Sequence, residues 1–303
     1  MEIKEWTYEE FPEFSDTPEG VGLILSDGNE MECHMSCDEV YAEIDGYTLH
    51  LQILRPYTRN EGEMLLPCIA FVQGSAWMEQ DVYQQLPMMT QLARRGYVLA
   101  CVQYRPSSVA QFPAQVKDAR NAVRYLKKNA EKYGIDPEKM ILAGDSSGGH
   151  TAVFGGIIKD DDSEDNLFPG ISADVKGILA LYASSSVMRE DGNPTTLNHH
   201  MPDSPEGMVM GGINLLERPD LCRKLSAECN IFPDTELPPI LLFHGTKDRT
   251  VSTVQSVTLY CKLKECGKDV SLYLVKGGDH GGAEYWTKDV LDIEEAFFGK
   301  CFA

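Results

Sequence analysis

The chain contains no Cys-x-x-Cys pair, no long apolar run, and only 27 lysines and arginines against 47 aspartates and glutamates. Each shortage closes off a class of function. Nine cysteines spread from Cys33 to Cys301, an odd number without paired spacing, suit neither a disulfide framework nor a zinc site. Free thiols fit a reducing compartment, and a cytoplasmic protein is expected. The one Cys/His group, Cys33-His34-Met35-Ser36-Cys37, has no second half-site nearby, so no metal is expected and the stretch reads as a polar approach to a strand. No stretch approaches the roughly 18 apolar residues of a membrane helix, and the start Met1-Glu2-Ile3-Lys4-Glu5-Trp6 is acidic and broken by polar residues. A formal net charge of -20 opposes contact with phosphate backbones and anionic membranes, so neither nucleic acid nor membrane is expected as a partner. No Gly-Lys-Ser/Thr follows a glycine-rich stretch and no Gly-x-Gly-x-x-Gly follows the first strand, so no cofactor is expected. Oligomeric state leaves no mark in the sequence.

What is present is a globular composition, with 43% hydrophobic residues in 303. Residues 1–38, rich in Glu, Asp, Pro and Gly, form an irregular leader expected to wrap over the main body, because Trp6, Tyr8, Phe11 and Phe14 argue against simple disorder. Residues 39–303 read as the main domain. Val40 to Ile44 and Leu49 to Leu54 flank Asp45-Gly46 as an antiparallel hairpin, and a polar loop from Tyr57 to Glu63 follows. The nearly all-apolar run Leu66 to Val72 suits the middle of a sheet. Helices and buried strands then alternate: a helix around Gln84 to Arg94, a strand over Tyr97 to Val102, and a helix with Val116, Ala119, Val123 and Leu126 at helical spacing. Lys117, Asp118, Lys127 and Lys128 are assigned to that helix's polar side, and Asp160 to Asp165 to a solvated turn. Strands Met140 to Ala143, Val175 to Tyr182, Ile240 to Phe243 and Val270 to Val275 continue the series, with helices over Thr253 to Gly267 and Ala283 to Phe298. Such repetition gives a mostly parallel sheet with helices on both faces, the α/β class. Between Ser184 and Pro238 the order breaks into short Gly-, Pro- and Met-containing pieces, expected to be a cap inserted over the site at about 184–238.

Three residues carry the chemistry. Ser146 is centred in Gly144-Asp145-Ser146-Ser147-Gly148, between an apolar strand and a helix, the setting of a nucleophile elbow. A serine hydroxyl is a poor nucleophile at neutral pH and needs a base plus a carboxylate that orients it. Asp248, just past strand Ile240 to Phe243, and His280, just past strand Val270 to Val275, can reach the same crevice at the carboxyl ends of a parallel sheet. Asp279 is the rival carboxylate, but sitting next to His280 it is poorly placed to bend back to the imidazole. His150 and His244 are assigned to packing and turn formation, and His199 and His200 to an exposed cap. A developing oxyanion would meet the N–H groups of Ser147 and of the turn Gln73-Gly74-Ser75-Ala76-Trp77, with Ser75 and Ala76 as donors. Gly74, Trp77 and the segment Met208 to Gly212 are candidates for substrate contact.

Gly144-Asp145-Ser146-Ser147-Gly148-Gly149 resembles the elbow of the α/β-hydrolase fold, as found in its hormone-sensitive-lipase-like and acetyl-esterase branches. Phe112-Pro113-Ala114-Gln115-Val116-Lys117-Asp118, Tyr133-Gly134-Ile135-Asp136-Pro137, His244-Gly245-Thr246-Lys247-Asp248 and Asp279-His280-Gly281 extend the resemblance over about residues 40–298. It implies a serine esterase acting through an acyl-enzyme, with Ser146 as nucleophile, His280 as base and Asp248 as its orienting acid. The family usually has His-Gly-Gly-Gly-Trp where this chain has Gln73-Gly74-Ser75-Ala76-Trp77. Side chains at two glycine positions favour a small acyl group, acetyl above all, and relatives that deacetylate plant polysaccharide imply a small-molecule or oligosaccharide ester as substrate. The alternatives are amide cleavage, of the kynurenine-formamidase kind or by a small peptidase, and a ligand-binding homologue without chemistry.

Overall fold

A computed structural model describes residues 3–59, 65–160, 163–188 and 195–303. Part of the predicted loop from Tyr57 to Glu63, together with Asp161 and Asp162 of the acidic turn and residues 189–194 of the expected cap, lies outside the described residues. In chain order the elements are β1 (Glu32–Ile44), β2 (Tyr47–Tyr57), β3 (Leu66–Val72), α1 (Leu86–Ala93), β4 (Val98–Val102), α2 (Ala114–Lys128), α3 (Ala130–Tyr133), β5 (Ile135–Asp145), α4 (Ser146–Ile157), β6 (Gly177–Leu181), α5 (Pro205–Val209), α6 (Pro219–Leu225), β7 (Ile240–Gly245), α7 (Thr253–Glu265), β8 (Val270–Val275) and α8 (Lys288–Phe302).

The strands form one sheet in the order β1-β2-β4-β3-β5-β6-β7-β8. The β1/β2 and β2/β4 pairs are antiparallel and all later pairs parallel. Buried strands alternate their side chains between two apolar layers. In β3, Cys68, Ala70 and Val72 join the layer under α2, α4 and α7, while Ile69 and Phe71 join the layer under α1 and α8. The chain leaves β3 for β4 on one side and returns through α2 to β5 on the other. That reversal opens a crevice at the carboxyl ends of β3 and β5, where loops can meet a ligand.

Three expectations need correction. The main body begins earlier than residue 39: β1 starts at Glu32, and its register shifts between Ser36 and Glu39 and again between Val40 and Ala42, which hides the strand alternation. The leader does not wrap over the body, since residues 3–30 are exposed apart from Gly28, and Ile24 and Leu25 are 99% and 97% exposed. Its contacts with the body include Arg59, which donates to Ser26 Oγ at 2.8 Å and lies over the Tyr8 ring. On the polar face assigned to α2, Lys128 is exposed and Lys117 and Lys127 are half-buried, but Asp118 is not on the surface. Asp118 is fully covered and takes a forked bond from Arg105, and Arg120 and Arg124 converge on Asp160, itself buried rather than solvated. Charges that complete one another in this way pack inside an α/β layer that a hydrophobicity pattern reads as surface.

Candidate active site

Ser146 opens α4 directly from the end of β5, at φ 50°, a left-handed conformation costly for a residue with a Cβ. The close approach around it explains the flanking glycines: a Cβ on Gly148 would stand 1.9 Å from the Val72 carbonyl oxygen, and one on Gly144 would stand 2.4 Å from that of Gly148. The turn therefore lifts the Ser146 hydroxyl over the crevice. Its Oγ lies 2.9 Å from His280 Nε2, and His280 Nδ1 lies 2.8 Å from Asp248 Oδ2. The three residues named from sequence, spread over more than 130 positions at the ends of β5, β7 and β8, are brought into one hydrogen-bonded line.

Asp248 is anchored on both oxygens. Oδ1 accepts the N–H groups of Thr250 at 2.9 Å and Val251 at 2.8 Å, while Oδ2 also faces His244 Nε2 at 3.0 Å. Burial pushes the Asp248 carboxyl up, but the bonds from His244 and His280 and the Val251 N–H outweigh it and hold the group well below the usual carboxylate range. Asp248 is thus ionised and oriented, as an acid behind a general base must be. His244 was assigned to its turn alone; it also supplies a second imidazole to Asp248. Asp279 does not compete, because its carboxylate takes the Arg249 guanidinium and the N–H groups of Arg249 and His280.

The turn after β3 runs against Ser146. A Cβ on Gly74 would lie 2.8 Å from Ser146 Cβ, so only glycine fits there, and the Gly74 N–H donates to Asp145 Oδ1 at 2.8 Å. Asp145 also receives Gln85 Nε2 and Tyr182 OH, which ties β5, α1 and β6 together under Ser146. Burial raises the Asp145 carboxyl despite these bonds. Of the three expected oxyanion donors, Ser75 has its N–H committed to Ser147 Oγ at 2.9 Å. The N–H groups of Ala76 and Ser147 meet no acceptor among the described residues, Ser147 being in the first turn of α4, where helix geometry supplies none. Trp77, a candidate for substrate contact, is 1% exposed and turns its ring edge-on to His150, with centroids 5.1 Å apart. It is a packing residue under the turn. His150 is buried with it, its Nε2 on the Leu225 carbonyl at 2.9 Å, and desolvation pushes the imidazole down to about 4, so it is neutral.

Between β6 and β7 the chain forms α5, α6 and short 3-10 turns. Ser184, whose N–H bonds the Ser146 carbonyl, donates its hydroxyl to Glu206 of α5, and His199 links that same Glu206 to the Thr250 carbonyl. His199 and His200 are half-buried and bonded, contrary to the exposed placement expected of them. In the segment Met208 to Gly212, Val209 and Met210 are buried. A cavity of about 310 Å³, lined in part by Ser186, Thr195, His199, His200 and Gln255, adjoins this region, but neither Ser146 nor His280 lines it. Cys33 to Cys37 lie along β1 with His34 stacked on Tyr57, and among the described residues no group of three or more His, Cys, Asp or Glu is placed to hold a metal ion. Among those residues no helix is long and apolar enough to cross a membrane.

The family model described as BD-FAE matches residues 51–263. Curated relatives include the esterase LipC of Mycobacterium tuberculosis, 24% identical over 71% of this chain and 53% of its own length. Another is the isoprenylcysteine alpha-carbonyl methylesterase ICME of Arabidopsis thaliana, 26% identical over 79% of this chain and 58% of its own length. The chain thus spans about half the length of the curated relatives it matches. Among solved structures, a truncated carbohydrate esterase from gut microbiota is similar at TM-score 0.73 and 22% identity, covering 91% of this chain and 98% of that one. An acetyl ester-xyloside bifunctional hydrolase from Caldicellulosiruptor lactoaceticus is similar at TM-score 0.69 and 22% identity, covering 88% and 96%. These likenesses show the fold, which is that of the α/β-hydrolases.

Proposed function

The chain belongs to the BD-FAE family, and from that membership and the geometry around Ser146 we propose that it is a serine carboxylic ester hydrolase acting on short-chain, above all acetyl, esters of carbohydrate-like alcohols. The observation that carries this reading is the line Ser146 Oγ to His280 Nε2 to Asp248 Oδ2, at 2.9 and 2.8 Å. In the resting state the serine hydroxyl donates to Nε2 and the Nδ1–H donates to the aspartate. As Ser146 Oγ attacks the ester carbonyl, His280 takes the proton and the ionised Asp248 stabilises the resulting imidazolium. The carbonyl oxygen becomes an oxyanion, for which the unoccupied N–H groups of Ala76 and Ser147 are the donors. Collapse passes the proton from Nε2 to the leaving alcohol and leaves an acyl group on Ser146. Water activated by the same imidazole then releases the acid.

The preference for a small acyl group is supported by the turn itself. The Gly74 backbone abuts Ser146 Cβ and the next positions carry side chains where the family usually has glycine, which narrows the space beside the carbonyl. The carbohydrate side is supported by the structural neighbours, a carbohydrate esterase and an acetyl ester-xyloside bifunctional hydrolase. Residues 184–238 are read as the cap that would select the alcohol. A panel of esters varied in acyl length and in alcohol tests the reading. The fastest turnover is expected on acetyl esters, with loss of about a million-fold in kcat in Ser146→Ala. A preference for acyl chains of eight carbons or about eight, or an active Ser146→Ala protein, would overturn it.

A further inference from the structure

Ser75, Tyr104 and Ser147 form a closed set of contacts beside the nucleophile. The Ser75 N–H reaches Ser147 Oγ at 2.9 Å, Ser147 Oγ lies 3.1 Å from Tyr104 OH, Tyr104 OH lies 2.9 Å from Ser75 Oγ, and Ser75 Oγ lies 2.6 Å from the Met78 carbonyl oxygen. Only one assignment of protons satisfies all four. A carbonyl accepts only, so the Ser75 hydroxyl must donate to Met78. Having spent its proton, Ser75 Oγ must accept from Tyr104. Tyr104, having spent its own, must accept from Ser147, which in turn accepts the Ser75 N–H. Burial pushes the Tyr104 phenol up to about 12, so it keeps its proton at working pH.

From this we infer that Ser75, Tyr104 and Ser147 are positioning residues for the oxyanion site, a one-directional hydroxyl relay that locks the turn after β3 and leaves the Ala76 and Ser147 N–H groups as its two donors. The locking is geometric. The Met78 N–H bonds the Ser75 carbonyl at 3.0 Å, and the Ser75 carbonyl shares a trans peptide plane with the Ala76 N–H, so holding one fixes the other in the opposite direction. Ala76 and Trp77 are held at φ 56° and 55°, consecutive left-handed residues that a turn without such bonds would abandon. Ser147 serves twice, its hydroxyl drawing the Ser75 N–H away from the carbonyl and its own N–H standing free at the start of α4. The serine at position 75, a departure from the glycine usual in the family, is what closes the relay.

The inference rests on the ester-hydrolase reading, and the test separates the two. The kcat and KM for 4-nitrophenyl acetate, and the rate at which a fluorophosphonate labels Ser146, are measured in the parent, Tyr104→Phe, Ser147→Ala, the double variant and Ser147→Thr. Both single variants are expected to lose about tenfold or more in kcat and in labelling rate, with KM within about threefold of the parent. Because both act through one relay, the double variant is expected to be no worse than the poorer single variant, and Ser147→Thr, which keeps the hydroxyl, to recover toward the parent. Tyr104→Phe, which alters one buried oxygen, carries the test should Ser147→Ala not fold. An active parent with variants within about twofold in kcat, or with multiplicative losses in the double variant, overturns the relay alone. A parent that neither hydrolyses the ester nor takes the label overturns the reading beneath it.

Discussion

Arg249 and Asp279, the chain neighbours of Asp248 and His280, are paired in parallel with them: Arg249 Nε lies 2.6 Å from Asp279 Oδ2 and its N–H lies 3.0 Å from Oδ1. The loops after β7 and β8 are thus joined twice, once by Asp248 and His280 and once by this more exposed clamp. Because Asp279 Oδ1 also accepts the His280 N–H, the clamp holds the backbone that carries the imidazole. Asp279→Asn is expected to lower kcat by about tenfold while leaving KM nearly unchanged, because the loss is one of base placement. The effect in Arg249→Ala should shrink as salt rises, since salt weakens an exposed pair in the parent as well. Steady-state kinetics across ionic strength checks both, and a Asp279→Asn protein equal to the parent would show that the buried pair suffices.

His244 faces two acceptors with one nitrogen, Asp248 Oδ2 and the Val251 carbonyl, both at 3.0 Å, so Nε2 carries the proton and Nδ1 accepts from Ser256 at 2.7 Å. Replacing it by leucine removes a donor from a carboxylate that burial already disfavours. A carboxyl held below its unfolded value adds stability that is present above about pH 4 and is lost as pH falls through the folded value. His244→Leu brings the folded value of Asp248 back toward the unfolded one. Acid unfolding should therefore begin at a higher pH in the variant, with a lower kcat at neutral pH. Circular dichroism through an acid titration measures the first and 4-nitrophenyl acetate turnover the second.

The hydrogen-bonded line of Ser146, His280 and Asp248 was legible because each member follows a short apolar strand and opens a turn, signals that survive without any tertiary information. Ser146, Asp248 and His280 could be named together because parallel strands deliver their carboxyl-end loops to one crevice. Asp279 could be set aside by its adjacency to His280, although its actual partner, Arg249, could not be foreseen. The turn from Gln73 to Trp77 was legible as a place beside Ser146 but its N–H partners were not, because the diversion of the Ser75 N–H depends on the Ser147 hydroxyl, distant in sequence and ordinary in type. Asp118, Arg120, Arg124 and Asp160 were hidden for a similar reason: a charge neutralised by a partner many residues away has no hydrophobic signature. The start of β1 was lost to its bulges and to an exposed edge where polar residues carry no penalty.

Asp160 lies between two buried guanidiniums, those of Arg120 and Arg124, each 2.5 Å from its Oδ1. Arg120 also donates to the Gly155 carbonyl and Arg124 to the Ile171 carbonyl. Asp160→Asn keeps the shape and removes one negative charge from beside two buried cations. A loss in unfolding free energy is expected, read from denaturant titration. Activity per folded molecule should be unchanged, since Asp160 makes none of the contacts around Ser146.

Glu294 lies on the inner face of α8 at 1% exposure, with Oε2 lacking any partner among the described residues. Burial pushes its carboxyl up to about 8, and the Arg95 charge, whose guanidinium is bonded to Asp292 and Glu295, offsets this only in part. The unfolded chain ionises the same group near pH 4.3. Below that value the group is protonated in both states and costs nothing. From there up through the folded value the unfolded state gives up a proton that the folded state keeps, so stability falls with a slope of about 1.4 kcal/mol per pH unit from this residue. Glu294→Gln cannot ionise and removes that slope. At pH 5 the variant is expected to match the parent or fall slightly below it, since the amide also lacks partners. By pH 8 it should melt at the higher temperature. Thermal denaturation of both proteins across that range decides the matter, and parallel curves would mean that the Glu294 carboxyl ionises in the folded protein much as it does in the unfolded one.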